Sequence, residues 1–327
     1  MLPMAGAAPP ALPDFPWDAL KSICNSNDMK ASGGSASCFL GTIPEYGEVI
    51  VKKIAAVVVE GDSVDVAFRN EVAVLARVAG RCSFVVRVLG ACTQGVNKAG
   101  MPQRAIVLEY VEGGSLEDVL NTAAVSKAPA FGEARILGLA ADIARGLQFL
   151  HGNRIAHLDV KPGNVLLRLS GAAVLIDFGL SKTIETVMTV TSSVVGTRQY
   201  MAPEQYRASP GDSPGTEADV WALGCLLCEL SRGHKPWVGP NSAPLPEGAI
   251  REKVLVQRAA PPLPPPGMPT LRRVAEMCLK HAPRDRATID QVPPPLRALT
   301  YIICRRLNYY YFLLLPSFLL EREKLRY

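Results

Sequence analysis

His157-Leu158-Asp159-Val160-Lys161-Pro162-Gly163-Asn164, followed by Asp177-Phe178-Gly179, is the stretch of this 327-residue chain that decides its reading. Within twenty-three residues it sets out an aspartate, a lysine, an asparagine and a second aspartate. That set suits transfer of a phosphoryl group. A carboxylate can orient an attacking hydroxyl and accept its proton, an amide oxygen and a carboxylate can hold a hard cation, and a lysine can neutralise moving negative charge. Asp159 and Asn164 are also turn formers, and a turn alone would account for both. It would not account for Lys161 or for the Asp-Phe-Gly that follows.

Upstream of this stretch the pattern is rich in strand and poor in helix. Phe39-Leu40-Gly41 and Val49-Ile50-Val51-Lys52-Lys53-Ile54 flank a turn cluster at 44–48 and read as a hairpin. Residues 68–78 read as a helix, and 85–89 and 105–110 as further strands. Downstream the helical period takes over. Ile136, Ala140, Ile143, Leu147 and Leu150 mark one apolar face of a long helix. Glu112-Gly113-Gly114 is the expected crossing between the two halves, where glycine permits an extended path. Residues 1–16, rich in Ala and Pro, read as a disordered leader, and 207–215 and 259–269 as Pro-rich surface loops.

Composition excludes several classes. The chain is 48% hydrophobic and 20% charged, an ordinary globular balance. Its net charge is +5, of which the 298–327 tail supplies +3, so the body is close to neutral and no nucleic-acid partner is expected. The eight cysteines are scattered; Cys225 and Cys228 share an apolar helix and read as buried thiols rather than a zinc or redox pair. That usage suits a reducing compartment, so the expected location is cytoplasmic, with nuclear entry left open. No transmembrane span is expected. The tail is apolar and then basic, is split by Pro316, and suggests weak contact with a membrane interface at most.

Over 17–297 the chain resembles a eukaryotic-type protein kinase domain of the serine/threonine class. Val88-Leu-Gly-Ala-Cys92, Asp177-Phe-Gly-Leu-Ser-Lys182 and Met277-Cys278-Leu279 are similar to the tyrosine-kinase-like group, which mostly phosphorylates Ser and Thr. The resemblance implies an α+β fold of two lobes. The small lobe, about 17–111, would be an antiparallel sheet with one main helix, and the larger lobe, about 112–297, mostly helical. It implies ATP and Mg2+, or Mn2+ in its place, and protein substrates with Ser or Thr acceptors. Asp159 would be the catalytic carboxylate and Lys161 would contact the transferred group. Lys52, held by Glu71, would bind the α- and β-phosphates. Asn164 and Asp177 would hold the metal. Gly33 and Gly34 would cover the phosphates; Cys38 and Ile50 would roof the adenine over Leu166, with Leu108 as gatekeeper and the Glu109–Val111 backbone as hinge. Thr197 would bond the catalytic loop, Glu204 would pair with Arg286, Asp219 would anchor the loop from below, and His157 would pack on Phe178 and Leu75. In isolation Lys52 and Glu71 would pass for two solvated charges; their place ahead of the loop reverses that.

The chain also departs from the family pattern. Ala31 and Ala36 stand where the first and third glycines of the phosphate loop are usual, which limits how closely the backbone approaches phosphate. Cys38 and Ile50 replace the usual valine and alanine, one somewhat smaller and the other larger. A nucleotide-binding scaffold with little turnover is the alternative that the weakened loop favours, and the intact set Lys52, Glu71, Asp159, Lys161, Asn164 and Asp177 opposes it. Leu158 occupies the position where many members carry an arginine that clamps a phosphorylated activation loop, and leucine cannot pair with phosphate. Alanine at Thr186, Thr189, Thr191, Ser192 and Ser193 together is therefore expected to leave kinase activity within a few-fold of wild type in a radiolabel transfer assay; abolished transfer in a folded protein would refute this.

Overall fold

The computed structural model describes residues 12–32, 36–55, 63–126, 131–178, 182–183, 196–207, 214–239 and 243–292. In the small lobe β1 (Met29–Ser32), β2 (Ala36–Ile43), β3 (Gly47–Ile54), β4 (Val88–Val96) and β5 (Pro102–Glu109) form one antiparallel sheet, ordered β1-β2-β3-β5-β4. Side chains alternate along each strand. Val49 and Val51 of β3, with Ala105 and Val107 of β5, turn to one face and are buried. Ile50 and Lys52, opposite Leu108 and Ile106, turn to the other. α2 (Ser63–Val78) lies on that second face and buries Phe68 and Leu75.

The first face is covered by α1 (Trp17–Cys24), whose Leu20, Ile23 and Cys24 pack with Val49, Val51, Cys92, Ala105 and Val107. Gly41 of β2 makes the close approach feasible, since a Cβ there would lie 2.5 Å from Ile23 Cγ2. The chain ahead of α1 runs along the edge strand β4. The Phe15 N–H donates to Ala91 O at 2.7 Å, and Asp14 Oδ1 accepts the Thr93 N–H at 2.9 Å.

Three readings of the sequence are corrected here. Residues 12–16 are not a disordered leader, because their polar groups are satisfied on the β4 edge; residues 1–11 lie outside the described residues. The small lobe is helix-poor as expected but carries a second helix that the reading omitted: α1 forms because three apolar side chains in two turns meet a sheet face, a tertiary cause that periodicity over so short a window does not register. The strand expected at 85–89 begins at Val88 and runs to Val96, while Val85 makes an isolated bridge to Leu175.

The large lobe contains α3 (Leu116–Ser126), α4 (Glu133–Gly152), α5 (Glu217–Arg232), α6 (Glu247–Leu255) and α7 (Pro269–Cys278). Two small ladders, β6 (Ile155–Ala156) with β9 (Lys182–Thr183) and β7 (Val165–Leu167) with β8 (Ala173–Leu175), lie where the lobe meets the sheet domain's linker. The expected stripe of α4 is buried throughout. α5 is buried on every side from Ala218 to Leu230, Cys225 and Cys228 included, as a helix through the middle of a core must be. The lobes join at Gly113, whose N–H donates to Leu167 O at 2.8 Å and where a Cβ would fall 2.3 Å from that oxygen. The stretch 259–269 is the expected loop, exposed at residues 260, 262, 266, 267 and 269, and it is pinned to the large lobe. Pro261 and Pro264 are buried, Arg232 donates to the Pro262 and Leu263 carbonyls, and Arg272 to Pro264 O.

Residues 208–213, the five Ser/Thr positions between Thr186 and Ser193, and the tail from 293 lie outside the described residues. Among the described residues no helix is long and apolar enough to cross a membrane. Because Leu20 is fully buried between α1 and the sheet, Leu20→Ala is expected to lower stability by about 2–5 kcal/mol. Urea denaturation followed by far-UV dichroism measures this, and an unchanged midpoint would contradict the packing of α1.

Candidate active site

The loop between β6 and β7 is held from below by one side chain. Asp219, fully buried in the first turn of α5, accepts the Leu158 N–H on Oδ1 at 2.7 Å and the His157 N–H on Oδ2 at 2.8 Å. His151 Nε2 lies 2.8 Å from the same Oδ2. These bonds fix a backbone that is costly to hold, since Leu158 has φ 64°, the left-handed region a γ-branched residue rarely adopts. His157 presents its ring to Phe178, with centroids 5.3 Å apart, and its Nε2 lies 3.0 Å from Ile176 O. Leu75 of α2 belongs to the same buried cluster as Phe178.

With the loop fixed, Asp159 collects four hydrogen bonds. Oδ1 accepts the Thr197 N–H at 2.9 Å and the Thr197 hydroxyl at 2.8 Å. Oδ2 accepts Lys161 Nζ at 2.7 Å and Asn164 Nδ2 at 2.9 Å. Lys161 Nζ also donates to Thr197 Oγ1 at 2.8 Å, so the lysine, the threonine and the aspartate form a closed triangle. The Ile176 N–H donates to Asn164 O at 3.0 Å, which sets the following residue, Asp177, beside Asn164.

Across the cleft, Lys52 Nζ lies 2.6 Å from Glu71 Oε1 and 2.9 Å from Asp177 Oδ1. Burial alone would pull the lysine's pKa down; the Glu71 and Asp177 carboxylates outweigh it and hold the ammonium above its ordinary value. Burial raises the Glu71 carboxyl, with the Lys52 charge opposing it. The direction that follows from two acidic neighbours is a lysine held in its charged form. Asp177 sits at φ 63° and keeps 44% side-chain exposure against 7% for Asp159, so it is the carboxylate with room for an incoming cation. Asn164 Nδ2 points at Asp159 and its amide oxygen therefore points away from it. A hard cation takes oxygen ligands, and Asn164 with Asp177 fits Mg2+ on that ground.

The nucleotide residues are distributed as follows. Cys38 pairs with Lys52 and Leu40 with Ile50, so Cys38, Ile50, Lys52 and Leu108 share one face of the sheet. Cys38 and Ile50 are half-buried there, and burial pushes the Cys38 thiol up, opposed by the Lys52 charge. Leu166 of β7 is half-buried and bridges Ser115, and Val111 is buried. The Glu109 N–H donates to Arg87 O at 2.9 Å, and its carboxylate takes both guanidinium nitrogens of Arg168, at 2.8 and 3.2 Å. β1 and β2 pair as far as Ser32 and Ser37, while Gly33 and Gly34 lie outside the described residues.

On the acceptor side Glu204 is bound by Arg286 through two nitrogens, at 2.7 and 3.1 Å, and Arg286 also donates to Glu217 O at 2.6 Å. Two charged groupings carry no sequence motif. The Arg168–Glu109 fork spans the linker, and Lys235 meets Glu117 at 3.0 Å and Glu229 at 3.4 Å, beside Tyr200. Their partners are 59 and 118 residues apart in the first and longest of these pairs, so only the fold brings them together.

The sequence matches the family model described as "Protein kinase domain" over residues 31–294. Among curated relatives, the serine/threonine-protein kinase PknB of Mycobacterium leprae is 36% identical over 46% of this chain and 23% of its own length. Mitogen-activated protein kinase kinase kinase A of Dictyostelium discoideum is 29% identical over 80% of this chain and 26% of its own. Mitogen-activated protein kinase kinase 3 of Arabidopsis thaliana is 35% identical over 58% of this chain and 34% of its own. The chain thus spans about a quarter to a third of the length of these relatives.

Asp219→Asn would set an amide NH2 against one of the two backbone N–H groups the carboxylate now accepts. We expect it to cost about 1–3 kcal/mol in urea denaturation and to speed amide exchange at His157 and Leu158; unaltered protection of those two amides would show that the loop is held by other means.

Proposed function

Because the chain belongs to the protein kinase domain family, we propose that it is a serine/threonine protein kinase, transferring the γ-phosphoryl group of ATP to Ser or Thr hydroxyls of proteins. The observation that carries the reading is the closed triangle of Asp159, Lys161 and Thr197 facing the Lys52–Glu71–Asp177 cluster. A carboxylate fixed by four hydrogen bonds stands on the acceptor side, and a lysine paired with two carboxylates stands on the donor side.

In this mechanism Asp159 orients the acceptor hydroxyl and takes its proton as the oxygen attacks the γ-phosphorus in line with the departing diphosphate oxygen. The four bonds on Asp159 occupy its lone-pair positions, so the acceptor hydroxyl displaces one of them; Thr197 Oγ1, itself a threonine hydroxyl between Asp159 and Lys161, holds the place such a group would take. Lys161 offsets charge on the moving group, and Lys52, kept in position by Glu71, offsets charge on the phosphates left behind. Asn164 and Asp177 would hold Mg2+, which supplies neutralisation of the phosphate oxygens when bound. Similarity to the tyrosine-kinase-like group, together with Lys161 and Thr197, supports Ser/Thr over Tyr acceptors. The seven described cysteines are free, which supports a cytoplasmic setting.

The test is transfer of label from ATP to a generic basic protein substrate by wild type and by Asp159→Ala, with nucleotide binding followed by thermal shift. Wild type should yield phosphoserine or phosphothreonine, and Asp159→Ala should lower kcat by about 10²–10⁴-fold while still binding ATP. Nucleotide binding without transfer by either protein would replace this reading with that of a scaffold.

A further inference from the structure

Among the described residues, two ionic contacts tie α2 to the sheet. One is the Lys52–Glu71 pair. The other is buried and built from residues outside the nucleotide set. Asp65, in the first turn of α2 and fully buried, accepts Arg104 Nε of β5 on Oδ1 at 2.6 Å. Its Oδ2 accepts Arg69 Nε at 2.8 Å. Arg104 is 4% exposed, and its Nη1 donates to Gln103 O at 3.3 Å and Gly95 O at 3.5 Å, so the guanidinium is fixed to β4 and β5.

A buried ion pair is a poor device for stability alone, because desolvation consumes most of the attraction and apolar side chains of similar size do as well. Its best-attested use is to fix register. The geometry here fits that use. Ile106 of β5 lies opposite Lys52, and Arg104 is two residues earlier on the same strand, so both cations project from one face toward α2. Their separation along the strands is about 7 Å at 3.4 Å per residue. Asp65 and Glu71 are separated by about 9 Å of helix rise. Apolar contacts of Phe68 and Leu75 hold α2 against the sheet but tolerate sliding and rotation. A single ionic tie at Glu71 would leave the helix free to pivot about it, whereas two ties of similar spacing set both its angle and its turn. The planar fork of arginine makes the second tie directional.

We propose that Asp65 and Arg104 are positioning residues, which hold α2 at the angle that keeps Glu71 on Lys52; as a statement about catalysis this rests on the kinase reading above. Neither residue belongs to the set assigned above to nucleotide or acceptor. Their effect passes through Glu71.

The test is a double-mutant cycle on the full chain with Arg104→Met and Glu71→Gln. Arg104→Met alone should lower kcat/KM for ATP by about tenfold or more. In the Glu71→Gln background it should lower it by less than about threefold, since its route is already cut. The same factor in both backgrounds, or no loss in either, overturns the proposal. Where Arg104→Met fails to fold, the cycle is run with Arg104→Lys, which keeps the charge and loses the fork; a smaller loss that again vanishes with Glu71→Gln supports the proposal, and equal losses overturn it. Amide exchange of the nucleotide-free protein is read in parallel, with Leu20→Ala, on the opposite face of the sheet, as the control for general destabilisation. Arg104→Met should speed exchange through 68–75 relative to that control, and indistinguishable exchange overturns the proposal. A wild type that binds ATP without transfer would sink the kinase reading and leave the exchange result to judge the positioning of α2.

Discussion

The carboxylate of Asp219 is the constraint on which the rest of the site depends. It is fully buried in α5, the helix surrounded by apolar contacts from Ala218 to Leu230. A charge placed there is tolerable because its oxygens are consumed by two backbone N–H groups and a histidine nitrogen. In return it pins a loop whose Leu158 backbone would otherwise relax out of the left-handed region. Everything catalytic is measured from that loop. Asp159 follows Leu158 directly, Lys161 and Asn164 bond Asp159, and Asn164 fixes the strand that delivers Asp177. The same helix receives Arg286, which donates to Glu217 O and grips Glu204. One buried helix therefore serves as the datum for both the phosphate side and the acceptor side.

The small lobe solves a different problem. It must bring a lysine from a sheet to an aspartate of the other lobe while remaining attached through a short linker. Alternation along β3 sends Val49 and Val51 into the α1 core and Lys52 the other way, so the strand is fixed by apolar packing on one face and offers charge on the other. Lys52 closes onto Glu71 within its lobe and onto Asp177 across the cleft. The Arg168–Glu109 fork adds a second crossing beside Gly113. Both crossings join a residue of the small lobe to one of the large lobe.

How much of this the sequence disclosed follows from the range of the forces involved. The hairpin of β2 and β3 and the stripe of α4 are local periodicities, and both are legible. The loop residues are legible because the chemistry demands particular side chains at short spacings. Asp14 on Thr93, α1 on the sheet, Arg104 on Asp65 and Lys235 between Glu117 and Glu229 are not legible, because each depends on a surface that exists only after the sheet or the large lobe has formed. The displaced start of β4 has the same origin: 85–87 has strand composition, but Val86 donates its N–H to Leu175 O in the other lobe instead of continuing the ladder. Proline content reveals the loop at 259–269 but not what pins it, for a related reason. Proline carbonyls accept as well as any others, and Arg232 and Arg272 supply the donors that let the loop be partly buried.

Leucine at position 158 fits how the acceptor-side segment is held. An arginine there would present a cation to the activation segment; Leu158 is instead 4% exposed and packed into the large-lobe core. The described end of that segment, 196–207, is secured by other means. Gln205 accepts the Ala202 N–H at 2.7 Å and donates to Leu158 O at 3.4 Å, so the loop and the segment are joined through neutral groups at the very residue that lacks the charge. Trp237 Nε1 donates to Gln199 O at 3.1 Å, the Tyr206 hydroxyl donates to Arg198 O, and the Tyr200 hydroxyl donates to Glu229. Thr197 completes the set by bonding Asp159 through both its N–H and its hydroxyl. Four side chains of the segment, with Trp237 from outside it, thus place its backbone against α5 and the catalytic loop. The ionic contacts of the described segment, Glu204 with Arg286 and Arg198 with Glu247, are built from residues of the fold itself. The position where many family members carry arginine is thus filled by a side chain packed in the core, and residues 196–207 are held by hydrogen bonds and ion pairs to residues of the fold itself.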